Sequence, residues 1–413
     1  MRGASAKTWL LLKLAWRNLF RHRWRTILTG LMVAGTFALS AISIGIAEGS
    51  YSRIIEAFTR TQLGHIQIHS QRYRDRPALA AVVPELPRVV RELDQVRGVA
   101  AWSPRLYASA LVASGSRSAV AMVVGIDPER EAATTGLPRR AAEGSFSTQP
   151  GRGEAAVDET LARRLHLAVG DELVVVSQAS DGSLANDLYS VVGILPKTGS
   201  NAAVGRLYLH LEDMQELFYL PEGVHELVIV LDSLDQVDAV TAELRNRLAS
   251  VPLVVEPWPE FARSFYVAMQ ADKKGNWVSL GIILLISAVG ILNTVLMAVL
   301  ERTREFGVLR SLGTRRGQLI ALVLLETACL TLLAAGAGSL VALGVNSWLA
   351  ETGIALPQPI TYGGMQFSHM YSEVSAPCFY IPAAAFLATA LLVSLGPAWR
   401  AAHMRPAEAL RHY

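Results

Sequence analysis

Side chains that could bind a metal or carry out catalysis are sparse in this 413-residue sequence. His65 and His69 lie four residues apart, but the alternating pattern around them predicts a strand, on which they need not converge on one ion. The sequence contains no H-E-x-x-H metal motif, no G-x-S-x-G nucleophile elbow and no G-x-x-x-x-G-K-[ST] phosphate loop. We therefore expect no intrinsic enzyme, and no nucleotide hydrolysis by this chain alone.

Two other local patterns carry little chemical information. Residues 195–199 have the letters of a cell-wall sorting signal, but they lie in mid-chain after a predicted strand, where Pro and Gly are ordinary turn residues. Cys329 and Cys378 both lie in apolar stretches, so neither a disulfide framework nor a zinc site is indicated.

Glu326 is the one ionisable residue inside four long apolar stretches of the sequence. Burying a carboxylate in a membrane is costly unless it has a partner, so such residues are functional candidates. Glu326 could face a partner helix, shift its proton or lie on an ion path. Because the other stretches contain no ionisable residue to continue a path, packing is favoured over an ion-coupled transporter or proton pump.

The segment 301–313 combines charges of both signs with an ordered apolar pattern. Its apolar side chains recur at three-residue steps, at Phe306, Leu309 and Leu312. As a helix, the segment would pair Glu301 with Arg304 and Glu305. A simple membrane anchor would need only isolated Lys or Arg. The mixed charges and the apolar steps instead predict a helix that docks into a groove on a soluble partner.

The four apolar stretches are long enough to cross a bilayer, which takes about 20 residues as a helix. They run 22, 25, 34 and 24 residues. The first could be a signal peptide cleaved after Ala47, but it exceeds the usual apolar length, so we expect an uncleaved anchor. The predicted transmembrane helices are 26–47, 276–300, 317–350 and 376–399.

Lys and Arg are concentrated on one side of these spans. Residues 1–25 carry seven of them and no acid, 301–316 carries five against two Glu, and 400–413 carries three against one Glu. The positive-inside rule therefore places both termini and the 301–316 loop in the cytoplasm, and 48–275 and the short 351–375 loop outside. The first segment also predicts a basic, partly apolar helix lying in the cytoplasmic interface.

The predicted external segment 48–275 has 29 acidic and 23 basic residues, which does not suggest a nucleic-acid surface. Strand–helix–strand patterns occur before and after a strand-rich excursion at about 116–204. We therefore expect an α-helical membrane protein with four transmembrane helices plus a mixed α/β extracytoplasmic domain, in which a two-layer α/β lobe carries a β-rich insertion. The predicted strands are 65–69, 107–113, 119–125, 172–177, 189–194, 226–231 and 253–256, and the predicted helices are 85–96, 211–218 and 236–248.

Four passages of the sequence resemble the MacB/LolC/LolE/FtsX-like family of ATP-binding-cassette (ABC) permeases. Together with the one-plus-three order of the spans they cover nearly the whole chain, and they are specific in combination. Residues 64–68 and 192–194 with 198–199 resemble the lipoprotein-releasing LolC/LolE branch, although residues 200–203 depart from it. The four passages are 293–294 with 301–313, 15–19 with Arg23 and 25–26, 161–171, and 406–411.

The resemblance implies a non-catalytic permease subunit in the bacterial inner membrane, multi-pass, with a large periplasmic domain. Its partners would be a cytoplasmic ABC ATPase dimer, which binds ATP and Mg²⁺, and a second permease, identical or paralogous. The chain itself would need no cofactor. Its cargo would be lipoprotein or another amphiphile released from the outer leaflet. The residues that match the family's ATPase-coupling loop are Glu301, Arg302, Arg304, Glu305, Phe306, Gly307, Leu309, Arg310 and Gly313.

The resemblance also implies a mechanism, mechanotransmission. Closure of the ATPase pair would move the 301–313 loop, and rigid spans would transmit that motion to the external domain without a pore for the cargo. Two alternatives stay open, a regulator of a cell-wall hydrolase, as among FtsX relatives, and an antibiotic-peptide sensor or exporter. A lipid-sized apolar cavity between the first two spans would favour cargo extraction.

Overall fold

The computed structural model of the protein describes residues 13–15, 17–18, 23–71, 73, 78–146, 150–196, 204–362 and 365–404. They form two compact units. The helical unit comprises the described residues up to Ser52, Met269–Pro357 and those from Ser368 onward, and the α/β unit comprises Arg53–Ala268 and Gln358–Phe367. Most of the predicted interfacial helix at 1–25 and of the predicted tail at 400–413 lies outside the described residues.

Among the residues that the structure describes, four helices are long and apolar enough to cross a membrane. The first continues to Phe58, past the predicted span end at 47, and the second begins at Arg263, ahead of the predicted start at 276. Hydropathy marks only the apolar part of a helix, so their more polar extensions escape it. The four are α1 (Arg23–Phe58), α8 (Arg263–Glu301), α10 (Arg316–Thr352) and α11 (Pro377–His403).

The four helices share one apolar core, and small residues allow the helices to pack closely there. A methyl group added at Gly338 of α10 would lie 2.6 Å from the carbonyl oxygen of Ala34 on α1, so the two helices approach to a distance that only glycine permits. Phe37 of α1 and Phe386 of α11 meet edge to face, with ring centroids 5.7 Å apart.

The predicted loop 351–375 contains a two-stranded sheet, which the sequence pattern did not indicate. Its strands are β11 (Ile354–Tyr362) and β12 (Met365–Met370). Pro357 and Pro359 lie within β11. Proline is depleted in strands because it cannot donate to the ladder, so the sequence pattern argued against a strand there.

In the described part of residues 53–268, the α/β unit has ten strands, β1 (Ile66–Ser70), β2 (Val99–Ser114), β3 (Arg117–Ile126), β4 (Glu143–Gly144), β5 (Glu154–Asp158), β6 (Glu172–Gln178), β7 (Leu184–Leu195), β8 (Gly205–His210), β9 (Glu226–Leu231) and β10 (Leu253–Pro257). They form one connected sheet in the order β10-β1-β9-β2-β3-β8-β5-β7-β4. Because β6 pairs with both β2 and β7, strands β2, β3, β8, β5, β7 and β6 close into a small barrel.

The strands and helices predicted from the sequence are present in this unit, with bounds that shift by several residues. Its helices are α2 (Leu86–Leu93), α3 (Pro128–Thr134), α4 (Glu159–Leu165), α5 (Leu211–Leu217), α6 (Val237–Arg247) and α7 (Trp258–Phe261). The expected start of the β-rich insertion, at about 116, falls in the turn between β2 and β3. β2 nevertheless belongs to both parts of the sheet, because residues 99–105 pair with β9 and residues 105–114 pair with β3.

A buried charge network lies where β2 and β9 pair. Arg105 of β2 donates to both carboxylate oxygens of Glu131 on α3, at 2.6 and 3.1 Å. A second carboxylate, Glu226, is the strand partner of Arg105, but its Oε1 lies 3.9 Å from Nη1. Within the described residues, that Oε1 accepts no hydrogen bond. Burial, only partly opposed by Arg105, raises the pKa of Glu226 to about 7.

We predict that Glu226→Gln stabilises the protein at pH 8 but not at pH 5. A carboxyl with a raised pKa in the folded state contributes stability that is full below its unfolded value and is lost as the pH rises through about 7. The amide removes that loss, so Tm at pH 8 should increase by about 3–6 °C. Thermal melts of the full chain in detergent measure it.

The control is Glu172→Gln, which changes an exposed carboxylate on β6 and should leave Tm unaltered at every pH. An equal change in Tm at pH 5 and pH 8 for Glu226→Gln would contradict the role of ionisation.

Candidate functional site

The segment predicted to dock a partner contains a short helix between two long ones. α8 ends at Glu301, Arg302 leaves the helical conformation with φ −107° and ψ 19°, and α9 (Thr303–Ser311) follows. Gly313, with φ +90°, turns the chain toward α10 in a left-handed conformation that glycine adopts without strain. α9 is thus a separate element, joined to its neighbours by short turns.

Arg302, at the break between α8 and α9, makes the main polar contacts of the site. Its Nη1 donates to both carboxylate oxygens of Glu326 on α10, at 3.0 and 3.1 Å, and its Nε donates to Glu305 on α9 at 3.0 Å. The Asn18 amide also donates to Glu326, at 2.5 Å. Arg302 is only 8% exposed, so its charge is shielded from water.

The guanidinium of Arg302 stays charged in this environment. Burial alone would lower the pKa of Arg302, but the carboxylates of Glu326 and Glu305 raise it above its ordinary value. The positive charge of Arg302 is therefore stabilised by the two carboxylates of Glu326 and Glu305.

A second, more exposed ion pair joins α1 to the end of α8, between Arg25 and Glu301. Beside it, the hydroxyl of Thr29 on α1 donates to that of Thr294 on α8 at 3.1 Å. A surface pair of this kind contributes about 0–1 kcal/mol, so it orients the helix ends more than it stabilises them.

The apolar side chains of α9 and the turn after it do not form one exposed row. Phe306, 2% exposed, lies in the core of the helical unit, and Gly307 beside it is also buried. Leu309 packs partly against the same core, whereas Leu312 is 78% exposed. The expectation that all three apolar side chains face a partner is therefore wrong. Each three-residue step falls about 60° short of a full turn, so the side chains drift around the helix.

The residues of the predicted coupling loop divide between two faces. Those on the outer face or in the turns are Glu301, Arg304 and Gly313, together with Val308, Ser311 and Leu312, and those buried or half-buried are Arg302, Glu305, Phe306, Gly307, Leu309 and Arg310. The pairing predicted for Glu301 also differs. It contacts Arg25 rather than Arg304, because the break at Arg302 removes it from the helix that contains Arg304.

Glu326 contacts Arg302 and Asn18, which lie outside its own helix. A packing role was one of the possibilities that the sequence left open. Its partners were missed because Arg302 lies 24 residues away across two turns, a spacing that follows no helical period. One signal could have identified this pair. Glu326 is a single acidic residue within a span, and Arg302 is a basic residue close to a span end, so each needs a partner of opposite charge.

The two histidines of the predicted strand, His65 and His69, lie in the α/β unit and have different partners. His65 accepts the backbone N–H of Leu231 at 2.9 Å, and burial lowers its pKa to about 4. His69 lies 3.1 Å from Glu256. Across the described ranges, no cluster of three or more metal-ligating side chains occurs.

Comparisons with known proteins cover most of the chain. Residues 26–247 match the MacB-like periplasmic core domain, and residues 277–406 match the FtsX-like permease C-terminal region. The chain is 24% identical over 330 residues to the lipoprotein-releasing system transmembrane protein LolC of Xylella fastidiosa, covering 76% of this chain and 78% of that protein. It is 22% identical over 412 residues to the pyoverdine export ATP-binding/permease protein PvdT of Pseudomonas syringae pv. syringae, covering 97% of this chain and 59% of that protein.

Among solved structures, the chain is similar to the periplasmic region of MacB from Actinobacillus actinomycetemcomitans. The TM-score is 0.37 at 12% identity, over 49% of this chain and 94% of that one.

A single chain that joins a MacB-like core domain to an FtsX-like helical region is an ABC-transporter permease. The chain belongs to the MacB/LolC/FtsX-like family, since the first match alone spans more than half of its length. The predicted family is confirmed, and so is the coarse fold class of four long apolar helices plus an α/β domain.

We predict that Arg302→Gln destabilises the helical unit by about 1–3 kcal/mol, because it leaves the half-buried Glu326 carboxylate without its cation. Combining it with Glu326→Gln should restore much of that loss, since two neutral amides bury no charge. Thermal denaturation in detergent of the two single variants and the double variant measures the coupling. Exposed Arg304→Gln is the control, with an expected change below about 0.5 kcal/mol. Strictly additive losses would show that the two side chains act independently.

Proposed function

We propose that the chain is the membrane-spanning permease subunit of an ABC transporter in a bacterial inner membrane. Helices α1, α8, α10 and α11 would cross the bilayer, with both termini and α9 in the cytoplasm and the α/β domain in the periplasm. The asymmetric distribution of Lys and Arg supports this orientation. The partners would be a cytoplasmic ATPase dimer, which binds ATP and Mg²⁺, and a second permease, identical or paralogous.

The observation that carries the proposal is the two-sided character of α9. Its inner face is anchored by Phe306 in the core, with Arg302 at its start bound to Glu326. Its outer face and the following turn expose Val308 (42%) and Leu312 (78%). An element anchored on one side and open on the other is suited to receive a displacement from a bound partner and pass it on.

The ion pair between the buried Arg302 and Glu326 supports this transmission of a displacement from α9, because it resists separation. Separating Arg302 from Glu326 would strand a buried charge, at a cost of about 3–5 kcal/mol. A push on α9 would therefore move α8 and α10 rather than detach from them. ATP can shift this equilibrium only if the ATPase binds one arrangement of α9 more tightly than another. α1 and α8 are continuous with segments of the α/β unit, which gives the motion a covalent route.

The cargo that we propose is lipoprotein or another amphiphile taken from the outer leaflet. Similarity to LolC, the lipoprotein-releasing system transmembrane protein, supports it. The similarity to PvdT over 97% of this chain favours a second candidate, the ATP-driven export of a small molecule. Both candidates use the same motion of α9.

We predict that Val308→Asp combined with Leu312→Asp abolishes coupling while the permease still folds. Two carboxylates on the outer face oppose an apolar docking contact but leave the buried contacts intact. Cargo-stimulated ATP hydrolysis by the reconstituted complex should decrease at least about tenfold, the loss of one strong interface contact. Tm of the permease should stay unchanged.

The matched control is Leu184→Asp, which changes an equally exposed apolar residue on β7 of the α/β unit. It should leave coupled hydrolysis unchanged.

Charge reversal of Glu301 or Glu305 would be less informative, because both already form ion pairs within the chain. Normal coupled hydrolysis in the Val308/Leu312 double variant would rule out α9 as the docking helix.

A further inference from the structure

A cleft of about 200 Å³ lies in the helical unit between α1 and α8, and it is polar at one end and apolar at the other. Glu48, Tyr51, Lys273, Asn276 and Trp277 supply its polar and aromatic groups. One to two turns further along the helices, the lining becomes apolar, with Ile44, Leu280 and Ile381. This change of chemistry along the helix axes matches the profile of a lipid from head group to acyl chain.

The position of the cleft in the sequence places it at the depth of lipid head groups. The predicted first span ends at 47 and the second begins at 276, so Glu48 and Lys273 lie just beyond the apolar region. Trp277 at its rim is 57% exposed, and indole rings prefer the membrane interface. In the orientation proposed above, this is the outer leaflet.

The cleft contains one positive and one negative side chain, and in the described part of the chain neither has an ion-pair partner. The Lys273 ammonium lies 5.4 Å from the centroid of the Tyr51 ring. Glu48 accepts hydrogen bonds through Oε2, from the hydroxyl of Ser375 at 2.5 Å and the thiol of Cys378 at 3.5 Å. Two opposite charges that do not neutralise each other suit a ligand that carries both signs.

A neutral donor completes the set of polar groups. The Asn276 side chain accepts from Ser43 through Oδ1 at 3.3 Å, which leaves its amide N–H groups to donate. An ammonium together with an amide is a suitable pair of donors for a phosphate oxygen, and a carboxylate is a suitable acceptor for a primary ammonium.

We propose that this cleft binds a glycerophospholipid with an ethanolamine head group. Its phosphate would contact Lys273 and Asn276, its ammonium would contact Glu48, and the upper part of an acyl chain would lie against the apolar residues Ile44, Leu280 and Ile381. The inference deepens the proposed function and rests on the proposed orientation. The lipid anchor of a lipoprotein has no phosphodiester, so this site would select a membrane lipid rather than the proposed cargo.

The test uses the purified full chain without ATPase or cargo. The protein is equilibrated in mixed micelles that contain equal amounts of phosphatidylethanolamine and phosphatidylglycerol with identical acyl chains, and retained lipid is counted by native mass spectrometry. We expect one retained phospholipid, with phosphatidylethanolamine preferred about tenfold, the value of one charge-assisted contact.

Two variants separate the contacts. Lys273→Gln should lower the retention of both lipids about tenfold, because it removes the charge that faces the phosphate. Glu48→Gln should abolish the preference for ethanolamine while phosphatidylglycerol still binds. Lys274→Gln is the matched control, since Lys274 is the exposed neighbour of Lys273 and does not line the cleft.

Equal losses in Lys273→Gln and Lys274→Gln would overturn the proposal, as would equal retention of the two lipids by the unmodified chain. Displacement of the retained lipid by a synthetic triacylated lipopeptide would assign the cleft to cargo instead. Because no ATPase is present, a negative result leaves the proposed coupling through α9 untouched, and loss of that coupling would not affect lipid retention.

Discussion

The contact between Arg302 and Glu326 is the constraint on which the helical unit depends. The buried Arg302 would be costly without an anion, and its bond to the half-buried Glu326 ties the break before α9 to α10. Asn18 completes the carboxylate's partners, and Phe306 extends the attachment into the apolar core. The inner face of α9 is thereby committed to the chain itself, which leaves only the outer face for a partner.

A buried Arg–Glu pair also joins elements of the α/β unit, but its electrostatics differ. Each network sets one guanidinium against two carboxylates, but Arg302 donates hydrogen bonds to both Glu326 and Glu305, whereas Oε1 of Glu226 lies 3.9 Å from Arg105. This weakly paired, buried carboxylate leaves the α/β network sensitive to protonation near neutral pH. The site at α9 has Arg302 held by two carboxylates and so a guanidinium whose charge does not vary in the physiological range.

The sequence predicted what periodicity and length can encode. Alternation marked strands such as β9, apolar length marked the four long helices, and the motif around 301–313 identified the family. The sequence alone could not reveal which face of α9 is buried, because that depends on the position of the helix break at Arg302. It also missed the partner of Glu326 and the continuity of β2 through both parts of the sheet, since these arise from tertiary packing and leave no local pattern.

In the proposed mechanism α9 and α10 move as one body, which a distance measurement can test directly. Spin labels are attached at Ser311→Cys and Leu340→Cys, both exposed, in a chain whose Cys329 and Cys378 are replaced by Ala. Electron–electron double resonance on the complete complex then compares the two labels with and without ATP. We predict an unchanged distance between the two labels within one permease, together with a changed distance between the Ser311 labels of the two permeases in a homodimeric complex. A shift of α9 relative to α10 on addition of ATP would contradict it.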